Sequence, residues 1–157
     1  AQVHLIQYAL QEVVREGTAK YVYSQLPASL NVAGKTGTSN DQRDSWFAGF
    51  AGNRLAVVWM GLDDNAKLPF TGSGGALRAW TDFVKREQPE PFLAAYPEGV
   101  EYHWIDEATG YLSDELCAGA RQVPFLAGSE PQQEVDCGQK DPIKRSLRWF
   151  QQWFRQE

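Results

Sequence analysis

Apolar residues recur at helical spacing in two separate segments of the chain. The first set predicts an amphipathic helix over residues 3–16, with Gly17 as its C-cap: Val3, Ile6, Leu10, Val13 and Val14. The second set predicts a helix over residues 74–86, with Ser73 as its N-cap: Leu77, Trp80, Thr81 and Val84. Each helix would present one apolar face to a layer formed by the sequence between them.

Between these helices, the apolar pattern changes to that of β-strands. Residues 30–38, 44–51 and 54–61 form three short runs, and Gly52-Asn53 is a two-residue hairpin signal between the last two. Residues 55–60 are continuously apolar, which predicts that the third strand is buried on both faces. The pattern therefore predicts an antiparallel meander flanked by two helices, a mixed α/β (α+β) fold.

A proline-rich segment, residues 88–91, interrupts this pattern, and we predict a domain boundary near residue 92. Residues 1–92 are the first predicted domain, and residues 93–157 are a small C-terminal extension. In the extension, residues 100–105 and 107–111 predict a hairpin, and residues 114–137 an irregular segment. A last helix begins at Asp141-Pro142 and combines basic with aromatic residues. Such a helix either packs on its own domain or lies on a membrane surface.

The net charge and the first residues of the chain narrow the range of functions that the sequence allows. The 157-residue chain has a formal net charge of −5, which argues against nucleic acid as a partner, since that function favours a basic face. No apolar run approaches the roughly 20 residues that span a bilayer, and the first residues do not resemble a signal peptide. Because the chain begins inside a predicted helix and without methionine, we expect a fragment or a processed piece of a longer protein.

The two cysteines, Cys117 and Cys137, lie in Gly- and Pro-rich sequence of the extension. A disulfide closing this loop of about 20 residues would remove roughly 3 kcal/mol of unfolded-state entropy. The alternative is two unrelated reduced thiols. We favour the disulfide, and hence an oxidising compartment. Neither histidine lies near a cysteine in the sequence, so we expect no zinc site there and predict no metal or other cofactor.

The segment Lys35-Thr36-Gly37-Thr38 carries the candidate chemistry of the chain. On a strand, the Lys35 ammonium would place positive charge beside an anionic ligand and lower the pKa of nearby hydroxyls. Gly37 would let the backbone approach a ligand, and Thr38 could offer its hydroxyl to a carboxylate and its N–H to an oxyanion. As an isolated four-residue string, the segment is also compatible with an ordinary glycine-containing turn.

The sequence around this segment resembles the transpeptidase region of class A penicillin-binding proteins. Lys-Thr-Gly is the third active-site motif of that family, and residues 32–41 match it with its flanks. Residues 10–19 resemble the preceding helix, residues 44–49 and 59–63 the two following strands, and residues 72–76 the turn into the last helix. Serine β-lactamases share Lys-Thr-Gly but lack the Asp44-Ser45-Trp46-Phe47 continuation.

The resemblance implies the penicillin-binding/serine β-lactamase-like transpeptidase fold for residues 3–92. It also implies that Lys35, Thr36, Gly37 and Thr38 contact the substrate or a β-lactam, with Lys35 and Thr38 supporting the oxyanion. Trp46 would be part of the core or of the cleft wall. The extension, with its two cysteines and terminal aromatic helix, looks similar to that of penicillin-binding proteins of the 1b type from Gram-negative bacteria.

The chain departs from the family pattern at the nucleophile. None of its eight serines has a lysine three positions later, so the Ser-x-x-Lys motif is absent. The one Ser-x-Asn match, Ser29-Leu30-Asn31, lies directly before Lys35, and we interpret it as a coincidence. The chain would therefore supply one wall of the cleft without a catalytic residue of its own, and we expect it to be inactive alone.

Two functions are compatible with these observations. The first is part of a peptidoglycan D,D-transpeptidase on the periplasmic side of the inner membrane. Its expected partners are the upstream half of the same transpeptidase, either a separate chain or a missing segment, together with peptidoglycan stem peptides and β-lactams. The alternative is a non-catalytic periplasmic module in which residues 96–157 bind a regulator or a membrane surface.

Overall fold

The computed structural model describes residues 1–92 and 96–137. Contacts divide the chain into two compact units, Gln2–Tyr96 and the part that begins at Pro97. The predicted last helix lies outside the described residues. Within the described ranges, no helix is both long enough and apolar enough to cross a membrane.

The first unit contains three α-helices, two short 3-10 helices (Ala28–Leu30 and Asn40–Gln42) and a three-stranded sheet. Its elements are, in chain order, α1 (Gln2–Arg15), α2 (Val22–Gln25), β1 (Ala33–Thr38), β2 (Ser45–Ala51), β3 (Arg54–Met60) and α3 (Ala76–Glu87). The strands pair antiparallel in the order β1-β2-β3, so the predicted meander is confirmed. The predicted hairpin at Gly52-Asn53 is also confirmed, and Gly52 has the positive φ that its turn requires.

The core of this unit lies between one face of the sheet and the helices. Helix α1 packs on β1, and α3 packs on β2 and β3. The Phe47 and Trp80 rings meet edge to face at 4.9 Å, and both side chains are fully buried. The Phe47 ring also lies over Gly34 and Gly49, which are opposite each other on β1 and β2 and leave the space for it.

The prediction that β3 is buried on both faces is wrong for the described chain. Leu55, Val57 and Trp59 are 75%, 56% and 52% exposed, whereas Ala56 and Val58 face the core. Alternate residues of a strand point to opposite faces, and α3 packs on β3 against the face that carries Ala56 and Val58. The apolar run therefore meets a second layer on one side only.

Helix α3 begins two residues later than predicted, and Ser73 is not its N-cap. The cap position is Gly75, whose side chain cannot accept a hydrogen bond. The Ser45 hydroxyl of β2 instead accepts a hydrogen bond from Ala76 N–H at 3.0 Å. The N-terminus of the helix is thus capped from the sheet, by a residue that is distant in the sequence.

The second unit is built on a two-stranded antiparallel sheet, β4 (Val100–Asp106) and β5 (Ala120–Leu126). The predicted hairpin between residues 100–105 and 107–111 is wrong, as is the prediction that residues 114–137 are irregular. The Asp106 carboxylate accepts hydrogen bonds from the N–H and hydroxyl of Thr109, which closes a tight turn after β4. After that turn, Leu112 forms an isolated antiparallel bridge with Ile105 and an isolated parallel bridge with Glu134, and no second strand of a hairpin forms there. The Cys117–Cys137 disulfide is present, as predicted.

Candidate functional site

The candidate segment Lys35-Thr36-Gly37-Thr38 forms the last four residues of β1, which is one of the two edge strands of the sheet. In the register with β2, Thr36 is opposite Phe47, Gly37 opposite Trp46 and Thr38 opposite Ser45. On the side of β1 away from β2, no strand of the described chain pairs with it. An edge strand has free N–H and C=O groups on that side, and these are the groups that an extended ligand can use.

The backbone of Thr38 is directed toward this free edge. Ser39 N–H donates to Asp44 O at 3.2 Å, so Ser39 continues the hydrogen-bonded positions of the β1–β2 ladder. Because hydrogen-bonded and non-hydrogen-bonded pairs alternate along an antiparallel ladder, Thr38 occupies a non-hydrogen-bonded position. Its N–H therefore points away from β2, which is the direction required of a donor to a ligand beside the strand.

The Lys35 ammonium is exposed and lies along the same edge. Lys35 Nζ donates to the carbonyl of the next residue, Thr36, at 2.8 Å. No carboxylate in the described part of the chain pairs with Lys35. A cation that is held only by a neighbouring carbonyl can turn toward an anionic ligand without first breaking an ion pair.

The two threonine hydroxyls have different partners. Thr36 Oγ1 lies 2.7 Å from Thr18 Oγ1, in the segment that follows α1. Thr38 Oγ1 accepts a hydrogen bond from Gly72 N–H at 2.9 Å, in the loop before α3. This bond occupies one lone pair of the Thr38 oxygen and leaves its proton free to be donated. Both hydroxyls are thus oriented by segments outside the strand.

Gly72 allows the loop before α3 to lie against the sheet, and Gly37 lies close to Trp46 of β2. A Cβ on Gly72 would be 2.9 Å from the Trp46 carbonyl oxygen and would also collide with Gly37 O, so only glycine fits there. A Cβ on Gly37 would be 3.1 Å from Trp46 Cβ. Packing against Trp46 therefore favours glycine at position 37, in addition to the close approach of a ligand that the sequence suggested.

Buried Ser45 joins this loop to the sheet. Its hydroxyl donates to Thr71 O and accepts from Ala76 N–H, both at 3.0 Å. Thr71 Oγ1 and Ser73 Oγ are also bonded to each other, at 2.9 Å. The loop that contacts Thr38 is consequently held at both of its ends. Residue spacing predicted no role for Ser45 or Gly72 beyond their place in segments that resemble the family.

Asp44 organises the turn between β1 and β2. Its carboxylate accepts a hydrogen bond from the Trp59 indole at 2.8 Å, and its backbone N–H donates to Ser39 Oγ at 2.8 Å. Hydrogen bonds from Trp59 and Ser39 hold the pKa of the Asp44 carboxyl below its ordinary value. Trp59 also lies beside Trp46, with ring centroids 6.1 Å apart. The turn that ends the candidate segment is thereby tied to β3.

Comparisons with known proteins identify the class of protein to which this chain belongs. No protein-family model matches the chain. Penicillin-binding protein 1B of Vibrio cholerae is 35% identical to it over 147 residues, or 92% of the chain. Penicillin-binding protein 1B of Escherichia coli is 30% identical over 129 residues, or 82% of the chain. The chain therefore belongs to the penicillin-binding proteins.

Within that class, the similarity is to the 1B and 1A proteins of Gram-negative bacteria. The crystal structure of penicillin-binding protein 1A from Haemophilus influenzae matches 82% of the chain with a TM-score of 0.70 and 28% sequence identity. The match covers 20% of that structure, and the two 1B relatives are covered to 19% and 15%. The chain thus spans about a fifth or less of the proteins it resembles.

Proposed function

We propose that this chain forms one wall of the active site of a peptidoglycan D,D-transpeptidase. In the complete enzyme, a serine attacks the penultimate D-Ala carbonyl of a stem peptide, the terminal D-Ala leaves, and an amine of a second stem peptide resolves the acyl-enzyme. β-Lactams would acylate the same serine. The observation that carries this proposal is the accessible edge of β1, where the Lys35 ammonium and the Thr38 N–H are both available to a ligand.

Each residue of the segment has a role that its geometry supports. The free proton of the Thr38 hydroxyl would be donated to a substrate or drug carboxylate, and its N–H would form half of an oxyanion hole. Lys35 would add positive charge at the same place, and Thr36 would contact the ligand from its position beside Thr18. Gly37 would allow the close approach of the ligand backbone.

We further propose that residues 1–92 form the C-terminal part of the transpeptidase domain, while residues 93–157 form a separate small extension. The upstream half of the same transpeptidase would supply the serine motif. It would also cover the exposed face of β3, where Leu55, Val57 and Trp59 form an apolar surface. The complete protein would act on the periplasmic side of the inner membrane, where the disulfide is stable.

Acylation kinetics in the complete protein test this assignment. The variant Lys35→Ala should lower the second-order rate of acylation by a fluorescent penicillin by about 100-fold, since removing one group that stabilises an oxyanion costs about 10²–10³ in rate. Lys67→Ala, at an exposed lysine of the loop after β3, is the matched control and should leave the rate unchanged. An unchanged rate in Lys35→Ala would exclude the proposed role of β1.

A further inference from the structure

The second unit contains a cluster of three possible metal ligands, which includes neither of the cysteines and no residue of the candidate segment. Glu101 and His103 are two residues apart on β4, so their side chains point to the same face of the strand. Glu130 follows β5, in the loop that returns over this face. One ligand atom of each residue lies within 4.8 Å of the ligand atoms of the other two.

Two of these ligand atoms are buried without a hydrogen-bond partner. His103 Nε2 and Glu130 Oε2 are both inaccessible to water, and neither makes a hydrogen bond in the described part of the chain. Buried polar atoms are nearly always satisfied, because an unsatisfied one costs about 1–3 kcal/mol. A pair of such atoms facing the same small space indicates a missing partner that can bind a nitrogen lone pair and a carboxylate together. A cation fits this description, because it can bind an imidazole nitrogen and several carboxylate oxygens at the same time.

The spacing of the donors also suits a metal ion. His103 Nε2 and Glu101 Oε2 are 3.4 Å apart. Two ligands of a tetrahedral Zn²⁺ ion are separated by about 3.3 Å, given metal–ligand distances of about 2.0–2.2 Å. Glu101 is exposed and its side chain can adjust, while the ring of His103 is held by Phe125, with centroids 6.0 Å apart. One ligand is therefore fixed, and an exposed one can close around the ion.

The loop that carries Glu130 is itself held near β4. Ala127 N–H donates to Gly99 O at 3.1 Å, and the Ser129 hydroxyl donates to Leu126 O at 2.8 Å. These bonds bring the start of the loop to the strand without using the Glu130 carboxylate.

We propose that Glu101, His103 and Glu130 bind a divalent transition-metal ion, with Zn²⁺ as the best match to one imidazole and two carboxylates. A solvent molecule would complete the coordination. The ion would tie the loop after β5 to β4 and so stabilise the second unit. This site is independent of the proposed transpeptidase function, because its residues lie outside residues 1–92.

Zinc titration of the untagged 157-residue chain tests the site. After removal of metal with a chelator, calorimetric titration with ZnCl₂ should give one equivalent bound. Titration with CoCl₂ should give the visible absorption of low-symmetry Co²⁺. Glu130→Gln and His103→Gln should each weaken zinc binding by about 10-fold or more, which is the minimum expected when even an outer-shell partner of a metal ligand is lost.

Glu98→Gln is the matched control, since Glu98 is an exposed carboxylate of the same unit that lies outside the cluster. It should leave both stoichiometry and affinity unchanged. Circular dichroism would verify that the variants remain folded, and Glu130→Gln keeps the size of the side chain if His103→Gln does not fold. Absence of saturable binding, or equal affinity in Glu130→Gln and Glu98→Gln, would overturn the proposal.

Discussion

The two faces of the three-stranded sheet are both apolar, but one is buried in the described chain and the other is largely exposed. On the covered face, Ser45, Phe47 and Ala51 are fully buried beneath the helices. On the opposite face, Trp46 is 44% exposed and Leu55 75% exposed. A sheet with two apolar faces requires a layer on each to be stable in water. The difference supports the proposal that the upstream half of the transpeptidase covers the second face.

The largest expected effect comes from a substitution on the covered face. Phe47→Ala would remove the ring that packs on Trp80 and on the glycine pair Gly34 and Gly49, and should cost about 3–5 kcal/mol of the free energy of unfolding. Val57→Ala, on the open face, should cost less than about 1 kcal/mol. Urea unfolding of both variants measures the difference. Similar losses would mean that the two faces are equally buried in solution.

The buried hydroxyl that connects the sheet to α3 should have the next largest effect. Ser45→Ala leaves Ala76 N–H and Thr71 O without their partner and should cost about 1–3 kcal/mol of the free energy of unfolding. Ser24→Ala, at an exposed serine of α2, should change it by about 0.5 kcal/mol or less. If the urea midpoint of Ser45→Ala equals that of the wild type, the Ser45 hydroxyl does not stabilise the N-terminus of α3.

A charge on the open face should affect assembly more than stability. Leu55→Asp should change the free energy of unfolding of this chain by about 0.5 kcal/mol or less, since Leu55 is exposed. It should weaken association with the upstream half by about 10-fold or more, because a carboxylate would be buried without a partner. Asp63→Leu is the control: it removes a negative charge from the exposed loop after β3, and it should leave the association unchanged. If Leu55→Asp binds the upstream half as tightly as the wild type does, the upstream half does not cover this face of the sheet.

The smallest effect is the acid dependence of the turn between β1 and β2. Because hydrogen bonds lower the pKa of Asp44 in the folded state, its carboxylate stabilises the fold above the ordinary Asp value of about 3.9. This contribution is lost as pH falls through the lowered folded-state value. Asp44→Asn should therefore be less stable than the wild type at pH 7, and the difference should shrink below about pH 4. A difference that is constant from pH 7 to pH 3 would contradict this origin.

Most of the first unit was predictable from local patterns. Helical spacing predicted the extent of α1 and α3, although Val3 and Ile6 of α1 are exposed and not packed on the sheet as expected. The three strand runs with a Gly-Asn turn predicted the meander and its order. These signals are periodic and short-range, so the sequence contains them without knowledge of distant contacts. The burial of β3 could not be predicted in the same way, because it depends on whether a second layer is present.

The pairing of β4 with β5 was missed for a physical reason. Residues 120–126 contain Arg121, Gln122 and Pro124, and a proline reduces the strand signal because it cannot donate to a ladder. The partner strand lies beyond a turn that itself resembles a hairpin signal around Gly110. Local turn chemistry therefore favoured the nearer but wrong partner.

The candidate segment was found from the sequence, but the residues that orient it were not. Lys-Thr-Gly-Thr is a contiguous string, whereas Gly72 and Ser45 act over 34 and 31 residues of sequence separation. Nothing in residue spacing indicates that a loop N–H binds the Thr38 hydroxyl. The roles of Lys35, Thr36, Gly37 and Thr38 as ligand contacts remain predictions.

The central claim is that this chain contributes a wall of the transpeptidase site and that the serine lies in the upstream half. Mass spectrometry of both polypeptides after incubation with a penicillin tests it most directly, with the two halves incubated separately and together. We predict that the adduct forms only in the mixture and that its mass is found on the upstream polypeptide. A covalent adduct on this chain alone would contradict the account.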